Sequence, residues 1–245
     1  SSDLFASTRR ITFILHTVKL AEGLDQTIIY DRWNTTPWGG YLGYSAAGRP
    51  TDTTELLWVF ENHGGTGRFH TLVLLGGPDG NGATGEWLRE GGDEYWVEVL
   101  GRVAFGNRCQ GGLAAVSIIG PTTARVALNI TPFALLVLGE KGDLPDPATT
   151  SLTVGTETIE AGDDLIDHPE ACIGTAEFVV DLKTGEREFA GIDIDELYYW
   201  NIEDVRFQAC FNYLVRSKLR TMPKVLTPEE LQSLGDDFVN HCVAT

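Results

Sequence analysis

The sequence predicts an α+β protein that is mostly β: an antiparallel β-sandwich or flattened barrel of about eight to ten strands, with two C-terminal helices packed on it. Three observations support this class. Residues 94–105 alternate between apolar and polar side chains, which is the period of a strand with one buried face. The 245 residues include 28 glycines, as expected for short strands joined by turns. After residue 195 the apolar spacing changes to that of helices.

The first third of the chain predicts strands separated by glycine-rich loops. Apolar or alternating runs predict strands at residues 10–20, 26–33, 54–61 and 68–76. The last two form a hairpin, because residues 62–67 between them contain the asparagine and glycines that tight turns select. Two long loops are expected, at residues 34–52 and 77–92.

The middle of the chain predicts the centre of the sheet. The alternation in residues 94–105 assigns two sets of side chains to opposite faces: Tyr95, Val97, Val99, Val103 and Phe105 on one, and Glu94, Trp96, Glu98 and Arg102 on the other. Further strands are predicted at residues 113–119 and 124–130. The apolar run 133–138, which follows Pro132, is interpreted as a strand buried on both faces.

The chain is predicted to be a single β-rich domain over residues 1–245. Its parts are a main sheet region at 1–140, a proline-rich linker at 141–150, additional strands at 151–192 and a C-terminal helical cap at 193–245. Among the additional strands we expect one at 152–159 and a pair, 174–182 and 186–190, with residues 160–171 irregular or a short helix between them.

The helical cap is predicted to contain two helices. Apolar residues lie on two sides of the segment 195–220, which indicates a helix largely covered by other elements. The run Thr227-Pro228-Glu229-Glu230 is a capping box with proline at the first helical position. The apolar residues that follow form one stripe, which comprises Leu231, Leu234, Phe238 and Cys242.

Charge and missing motifs exclude several function classes. A net charge of −17 repels phosphate backbones and anionic lipid, so neither a nucleic-acid partner nor a membrane surface is expected. No apolar run approaches the roughly 20 residues of a membrane helix, so we expect a soluble protein without a membrane span. The compartment is left open, with an extracellular location slightly favoured. Phosphate-loop, dinucleotide, nucleophile-elbow and zinc-protease motifs are missing, so no cofactor is expected.

The cysteines leave the redox compartment open. The four of them, Cys109, Cys172, Cys210 and Cys242, form no CxxC pair and no metal-ligand spacing. They allow three pairings if they are oxidised, and they are equally ordinary as buried thiols.

An aromatic–glycine segment at residues 38–44 is the first candidate binding surface. Trp38, Tyr41 and Tyr44 alternate with glycines there, and rigid rings with polar tips suit a sugar or a protein partner. The alternative is an aromatic lid that folds onto the sheet. Because loop 34–52 is longer than the connection needs, we expect it to contact something outside the sheet.

The polar face of the central strand is the second candidate. Glu94 and Glu98 lie beside Trp96 and Arg102, and two carboxylates about 5–10 Å apart are what glycoside hydrolysis requires. An ordinary solvent-facing strand with a Glu–Arg pair is the alternative.

Two acidic loops hold oxygen ligands, yet we expect no committed metal site in either. Asp79, Asn81 and Glu86 lie in a glycine-rich loop that lacks the calcium-loop pattern. A second, denser cluster surrounds one histidine and comprises Asp163, Asp164, Asp167, His168 and Glu170. Exposed turns account for both loops.

His70 is the one other histidine whose pattern is informative. It shares the parity of Leu72 and Leu74, which predicts a core histidine with a satisfied hydrogen bond. A thiol–imidazole pair of Cys109 with His16 or His70 has no local motif to support it.

These observations predict a non-catalytic β-rich binding or assembly protein that uses the aromatic–glycine segment for recognition. Its partner would be a protein or a carbohydrate, with oligomer formation left open. Two alternatives remain: a carbohydrate-active enzyme that uses Glu94 or Glu98, and a small-molecule binder or cyclase that holds its ligand inside the barrel. Fold class alone does not separate them.

Overall fold

The computed structural model describes residues 29–31, 41–62, 67–76, 98–146, 148–194, 205–219 and 225–244. Within this part of the chain there are three α-helices and twelve strands, arranged as two five-stranded antiparallel sheets and one separate hairpin. Nearly all the buried apolar residues of both sheets and the helices belong to one continuous core. The predicted class is confirmed: the fold is α+β, mostly β and sandwich-like, with two helices at its C-terminal end.

The first sheet is a meander in which each strand pairs with the next along the chain. Its strands are β1 (Ile29–Asp31), β2 (Tyr41–Thr51), β3 (Thr54–Asn62), β4 (Phe69–Gly76) and β5 (Glu98–Asn107). The face directed at the core, called the inner face below, is defined by a set of buried side chains: Leu56, Leu72, Leu74, Val103 and Phe105. The hairpin predicted across residues 62–67 is therefore confirmed as β3 and β4.

The second sheet combines strands that are distant in sequence. Its spatial order is β12 (Val225–Leu226), β11 (Arg187–Asp193), β10 (Gly174–Asp181), β7 (Thr123–Ile130) and β6 (Leu113–Ile118). Alternate residues of β7 and β10 are buried in the core, as the period of two predicts. Sequence analysis predicted β6, β7, β10 and β11 within a few residues of these bounds.

The apolar run 133–138 is not a strand, and that prediction was wrong. It lies in α1 (Pro132–Lys141), whose N-cap is Thr131 and whose first position is Pro132. Gly142 ends the helix with φ 72°, a left-handed conformation that glycine adopts without strain. Every side chain from Pro132 to Leu138 is buried, and a helix covered on all sides has no polar face by which its sequence could reveal it.

The two predicted C-terminal helices are present. They are α2 (Gln208–Leu219) and α3 (Pro228–Phe238), and a π-helical segment, Val239–Val243, extends α3. The predicted capping box at Thr227 is confirmed, with Thr227 Oγ1 accepting from Glu230 N–H at 3.3 Å and Glu230 Oε2 accepting from Thr227 N–H at 2.8 Å. The predicted start of the first helix, residues 195–204, lies outside the described residues.

Two smaller boundaries differ from prediction. Residues 41–51, predicted as part of a loop, form β2, because two bulges let this glycine-containing segment pair along β3. Residues 152–159 form a hairpin rather than one strand: β8 (Ser151–Val154) and β9 (Glu157–Glu160), with Gly155 at φ 63° in the turn. The predicted strand at residues 10–20 lies outside the described part of the chain.

All four cysteines are paired. Cys109 is bonded to Cys172, and Cys210 is bonded to Cys242. The first bond ties the end of β5 to the segment before β10, and the second ties α2 to the π-helical segment. None of the helices in the described residues has the length and apolar content that crossing a membrane requires.

Candidate functional site

The candidate site is a pocket of about 430 Å³ where the inner face of the first sheet emerges from the core. Cross-strand pairs follow one another along this face, from Leu56–Leu74 through Trp58–Leu72 to Phe60–His70. The first pair is buried, whereas Trp58, Phe60 and His70 are only half-buried. The interior of the sandwich therefore opens at these three aromatic side chains.

Trp58 and His70 are bonded to each other across the pocket. The indole Nε1 of Trp58 donates a hydrogen bond of 2.7 Å to Nδ1 of His70, and the ring centroids lie 5.6 Å apart. The two residues are diagonal neighbours on β3 and β4, which is a distance that large side chains can bridge. The hydrogen bond predicted for His70 is thus present, but the residue is half-buried at the edge of the core rather than within it.

This bond fixes the tautomer of His70. An indole N–H can only donate, so Nδ1 must be the unprotonated acceptor and the proton of the neutral ring resides on Nε2. Burial, with the nearby charge of Arg68 as the lesser cause, lowers the pKa of His70 from its usual 6.5. Both effects keep the imidazole neutral near pH 7, with one N–H remaining as a donor.

The second wall comes from β2. Residues 45–47 line the pocket, and Ser45 pairs with Trp58 across the strands. Two residues before it, Gly43 pairs with Phe60, whose ring occupies the space that a Cβ at position 43 would need. The described part of the aromatic–glycine segment, residues 41–44, therefore adjoins the pocket as a strand without lining it, and Gly43 makes room for Phe60.

The opposite wall comes from the second sheet. Residues 114–116 of β6 line the pocket with two alanines and a valine. Every side chain of the described lining is apolar, aromatic or neutral polar, although the chain as a whole has a net charge of −17. The described lining is therefore uncharged in a strongly acidic protein, and its polar side chains are Ser45, Trp58 and His70.

A larger groove of about 900 Å³ lies between β5 and the turn that joins β10 to β11. The candidate binding residue Arg102 lines it, as do Asp143, Asp181 and Arg187. Arg187 Nε donates to Asp143 Oδ1 at 2.8 Å, which attaches the linker after α1 to β11. The charges of this groove are largely exposed and of both signs, so it is a weaker candidate than the aromatic pocket.

Asp181 in that groove has a structural role. Its Oδ1 accepts from the backbone N–H groups of Lys183 and Thr184 at 2.8 and 2.9 Å, and these bonds form the β10–β11 turn. The same bonds, that of Thr184 first, lower the pKa of the Asp181 carboxyl.

Several sequence-predicted site residues lie outside the described residues. They are Trp38, Asp79, Asn81, Glu86, Glu94 and Trp96. Tyr41 and Glu98 belong to β2 and β5, but the described structure does not include their side chains. Tyr44 is half-buried on the face of β2 opposite Ser45, where it pairs with Val59. The alternation predicted for β5 holds at Val103 and Phe105 but not at Val99, which is 45% exposed beyond a bulge.

The acidic loop at residues 160–171 attaches itself to its neighbours through its carboxylates. Asp164 Oδ2 accepts from the backbone N–H of Glu160 at 3.0 Å. Asp167 Oδ1 accepts from the hydroxyl of Thr131 at 2.8 Å, which joins the loop to the start of α1. His168 Nδ1 accepts from the backbone N–H of Glu170 at 3.3 Å. Among the described residues, no three His, Cys, Asp or Glu side chains converge as a metal site would need.

Sequence analysis did not find the pocket, although part of its signal was present. The parity of His70 with Leu72 and Leu74 was noted, and Leu56, Trp58 and Phe60 share a parity in the same way. What was missing was the register of the β3–β4 hairpin, which alone brings Trp58 next to His70.

Comparison with known proteins gives no relative: no protein-family model, curated protein or solved structure matches this chain.

Proposed function

We propose that this protein is a non-catalytic binding protein that holds a small apolar ligand in the aromatic pocket. The observation that carries the proposal is the hydrogen-bonded Trp58–His70 pair beside Phe60, at the place where the core opens. Ligand sites are typically concave, mostly apolar and supplied with a few fixed polar groups, and about 300–1,000 Å³ in volume. The pocket has each of these properties.

The pocket supports binding rather than hydrolysis. General acid–base chemistry needs a titratable group poised to exchange protons with the substrate. Among the described residues that line the pocket, His70 is the only titratable one, and one of its two nitrogens already accepts from Trp58. A carbohydrate is a poorer ligand than an apolar molecule, because in the described lining the side chains of Ser45 and His70 are the ones with polar groups left for its many hydroxyl groups.

The two disulfides support a place outside the cytosol. Disulfides persist in oxidising compartments and are rare where thiols are kept reduced. Cys109–Cys172 and Cys210–Cys242 use every cysteine of the chain. We therefore propose an extracellular ligand-binding protein.

A fluorescence titration tests the proposed function. N-phenyl-1-naphthylamine is an uncharged dye whose emission rises in apolar surroundings, and we expect it to bind at a single saturable site. Ala115→Trp places a large side chain in the pocket from an exposed position of β6 and removes no core side chain. We expect this variant to lower the affinity for the dye by about tenfold or more. Trp58→Ala should lower the affinity for the dye as well.

The matched control is Tyr213→Ala in α2. Tyr213 is an aromatic residue that is 77% exposed and does not line the pocket, so its removal should leave the dye affinity unchanged. Dye binding that is equal in the wild type and in Ala115→Trp would contradict the proposal.

A further inference from the structure

The polar atoms of the aromatic pocket restrict the chemistry of its ligand. Trp58 has one N–H, and it is donated to His70. Nδ1 of His70 is occupied by that bond, so the polar side-chain groups that remain in the described lining are the Nε2–H of His70 and the hydroxyl of Ser45. The imidazole thus offers a donor and no acceptor.

The lining also restricts the charge of the ligand. A charged group that enters an apolar cavity loses its hydration and needs an opposite charge in return. No described lining residue carries a charge at neutral pH, and the whole chain repels anions through its net charge of −17. Arg68 lies near His70 but is exposed, so solvent screens its attraction for an anion.

We propose that the ligand of this pocket is an uncharged ring compound with a hydrogen-bond acceptor, such as a ketone, which accepts from Nε2–H of His70. This inference rests on the proposed function. The ring packs against Trp58 and Phe60, and the acceptor meets a donor whose tautomer and orientation Trp58 has already fixed. Trp58 therefore acts as a positioning residue for His70 as well as an apolar wall.

Three probes of nearly the same shape separate the features of this ligand. 2-Acetylnaphthalene has a ketone, 2-isopropylnaphthalene replaces it with an apolar group, and 2-naphthoate replaces it with a carboxylate. Affinities are measured by calorimetry at pH 7.5. We expect 2-naphthoate to bind the wild type at least about tenfold more weakly than the ketone, because its charge is desolvated without a partner.

The decisive variant is the double substitution Trp58→Phe with His70→Phe, which removes both ring N–H groups and keeps two aromatic rings. The loss of one hydrogen bond should lower the affinity for the ketone by roughly two- to tenfold, while the affinity for 2-isopropylnaphthalene should stay within about twofold of its wild-type value. The single variant Trp58→Phe keeps the N–H of His70 and should retain most of the affinity for the ketone.

An infrared measurement tests the hydrogen bond between the ketone and His70 on protein in which both rings are intact. The carbonyl stretch of bound 2-acetylnaphthalene should lie at a lower frequency than in an apolar solvent, and it should stay there in Ser45→Ala. A frequency equal to that in the apolar solvent would overturn the inference.

The two proposals fail in different ways. If none of the three probes binds, the proposed function is wrong and this inference falls with it. If the probes bind but 2-naphthoate matches the ketone, or the double variant weakens ketone and isopropyl probes equally, the pocket is a ligand site and the inference about its ligand is wrong.

Discussion

The indole Nε1 of Trp58 and the imidazole Nδ1 of His70 lie 2.7 Å apart, joined by a hydrogen bond between diagonal neighbours on β3 and β4. This bond decides which nitrogen of His70 carries the proton. It also predicts that the two residues contribute to stability as a unit.

A double-mutant cycle measures the coupling free energy between Trp58 and His70. Trp58→Phe, His70→Phe and the double variant are unfolded in urea, and we expect a coupling free energy of about 0.5–1.5 kcal/mol, the net value of one hydrogen bond. The control cycle pairs Trp58→Phe with Gln232→Ala, an exposed position of α3, and should be additive. Additive losses in the first cycle would show that the bond is not formed in solution.

The pH dependence of stability should reflect the lowered pKa of His70 in the folded state. Because burial and Arg68 lower its pKa in the folded state, the folded protein binds fewer protons than the unfolded chain. The stabilisation is therefore complete above the usual value of 6.5 and is lost as the pH falls from there through the lowered folded-state pKa. Urea unfolding of the wild type between pH 7.5 and 5 should show this loss, and His70→Phe should show less of it.

The titration of His70 itself provides the check. Its ring protons, followed by NMR, should have a midpoint below 6.5, and Arg68→Ala should move that midpoint upwards because a neighbouring positive charge is removed. A wild-type midpoint at or above 6.5 would contradict both the burial of His70 and its bond to Trp58.

Two helical glycines form a matched pair for testing how α1 and α3 pack. A Cβ on Gly139 of α1 would lie 3.0 Å from the backbone oxygen of Leu231 in α3, whereas a Cβ on Gly235 would meet nothing within 4 Å. Alanine is favoured over glycine in helices by about 1 kcal/mol. We expect Gly235→Ala to raise the free energy of unfolding by up to that amount, and Gly139→Ala to give no gain or a loss. Equal gains would mean that the two helices are further apart.

The disulfides give a prediction that peptide mapping settles. Proteolysis without reductant should release peptides that join Cys109 to Cys172 and Cys210 to Cys242. Replacing either pair by serine should lower the free energy of unfolding by about 2–4 kcal/mol, since each bond closes a long loop in the unfolded chain. A peptide that joins Cys109 to Cys210 would be incompatible with the fold.

Much of the fold could be predicted because its signals are local. Period-two alternation located most of the strands, and the capping box located α3. The same start signal was missed in α1: Thr131-Pro132 begins that helix as Thr227-Pro228 begins α3, but no glutamate follows at the third helical position. A short, wholly apolar run has no periodicity, so it does not distinguish a buried helix from a buried strand.

The site was harder to predict because it depends on register. Trp58 and His70 are twelve positions apart, and the turn between them sets which side chains become neighbours. The pairing of the four cysteines and the opening of the core beside β6 depend on still more distant parts of the chain. Local patterns identified the pocket residues of β3, β4 and β6 as strand residues, but they assigned those of β2 to a loop and did not find the pocket residues as a group.

The most direct test of the pocket is an NMR titration that observes the indole N–H groups. The chain has six tryptophans, and the resonance of Trp58 is assigned by its loss in Trp58→Phe. When 2-acetylnaphthalene is added, the account predicts that the Trp58 indole resonance shifts and saturates at one equivalent, and that the shift disappears in Ala115→Trp. If other tryptophan resonances shift to saturation while that of Trp58 stays in place, the ligand binds elsewhere and the account is wrong.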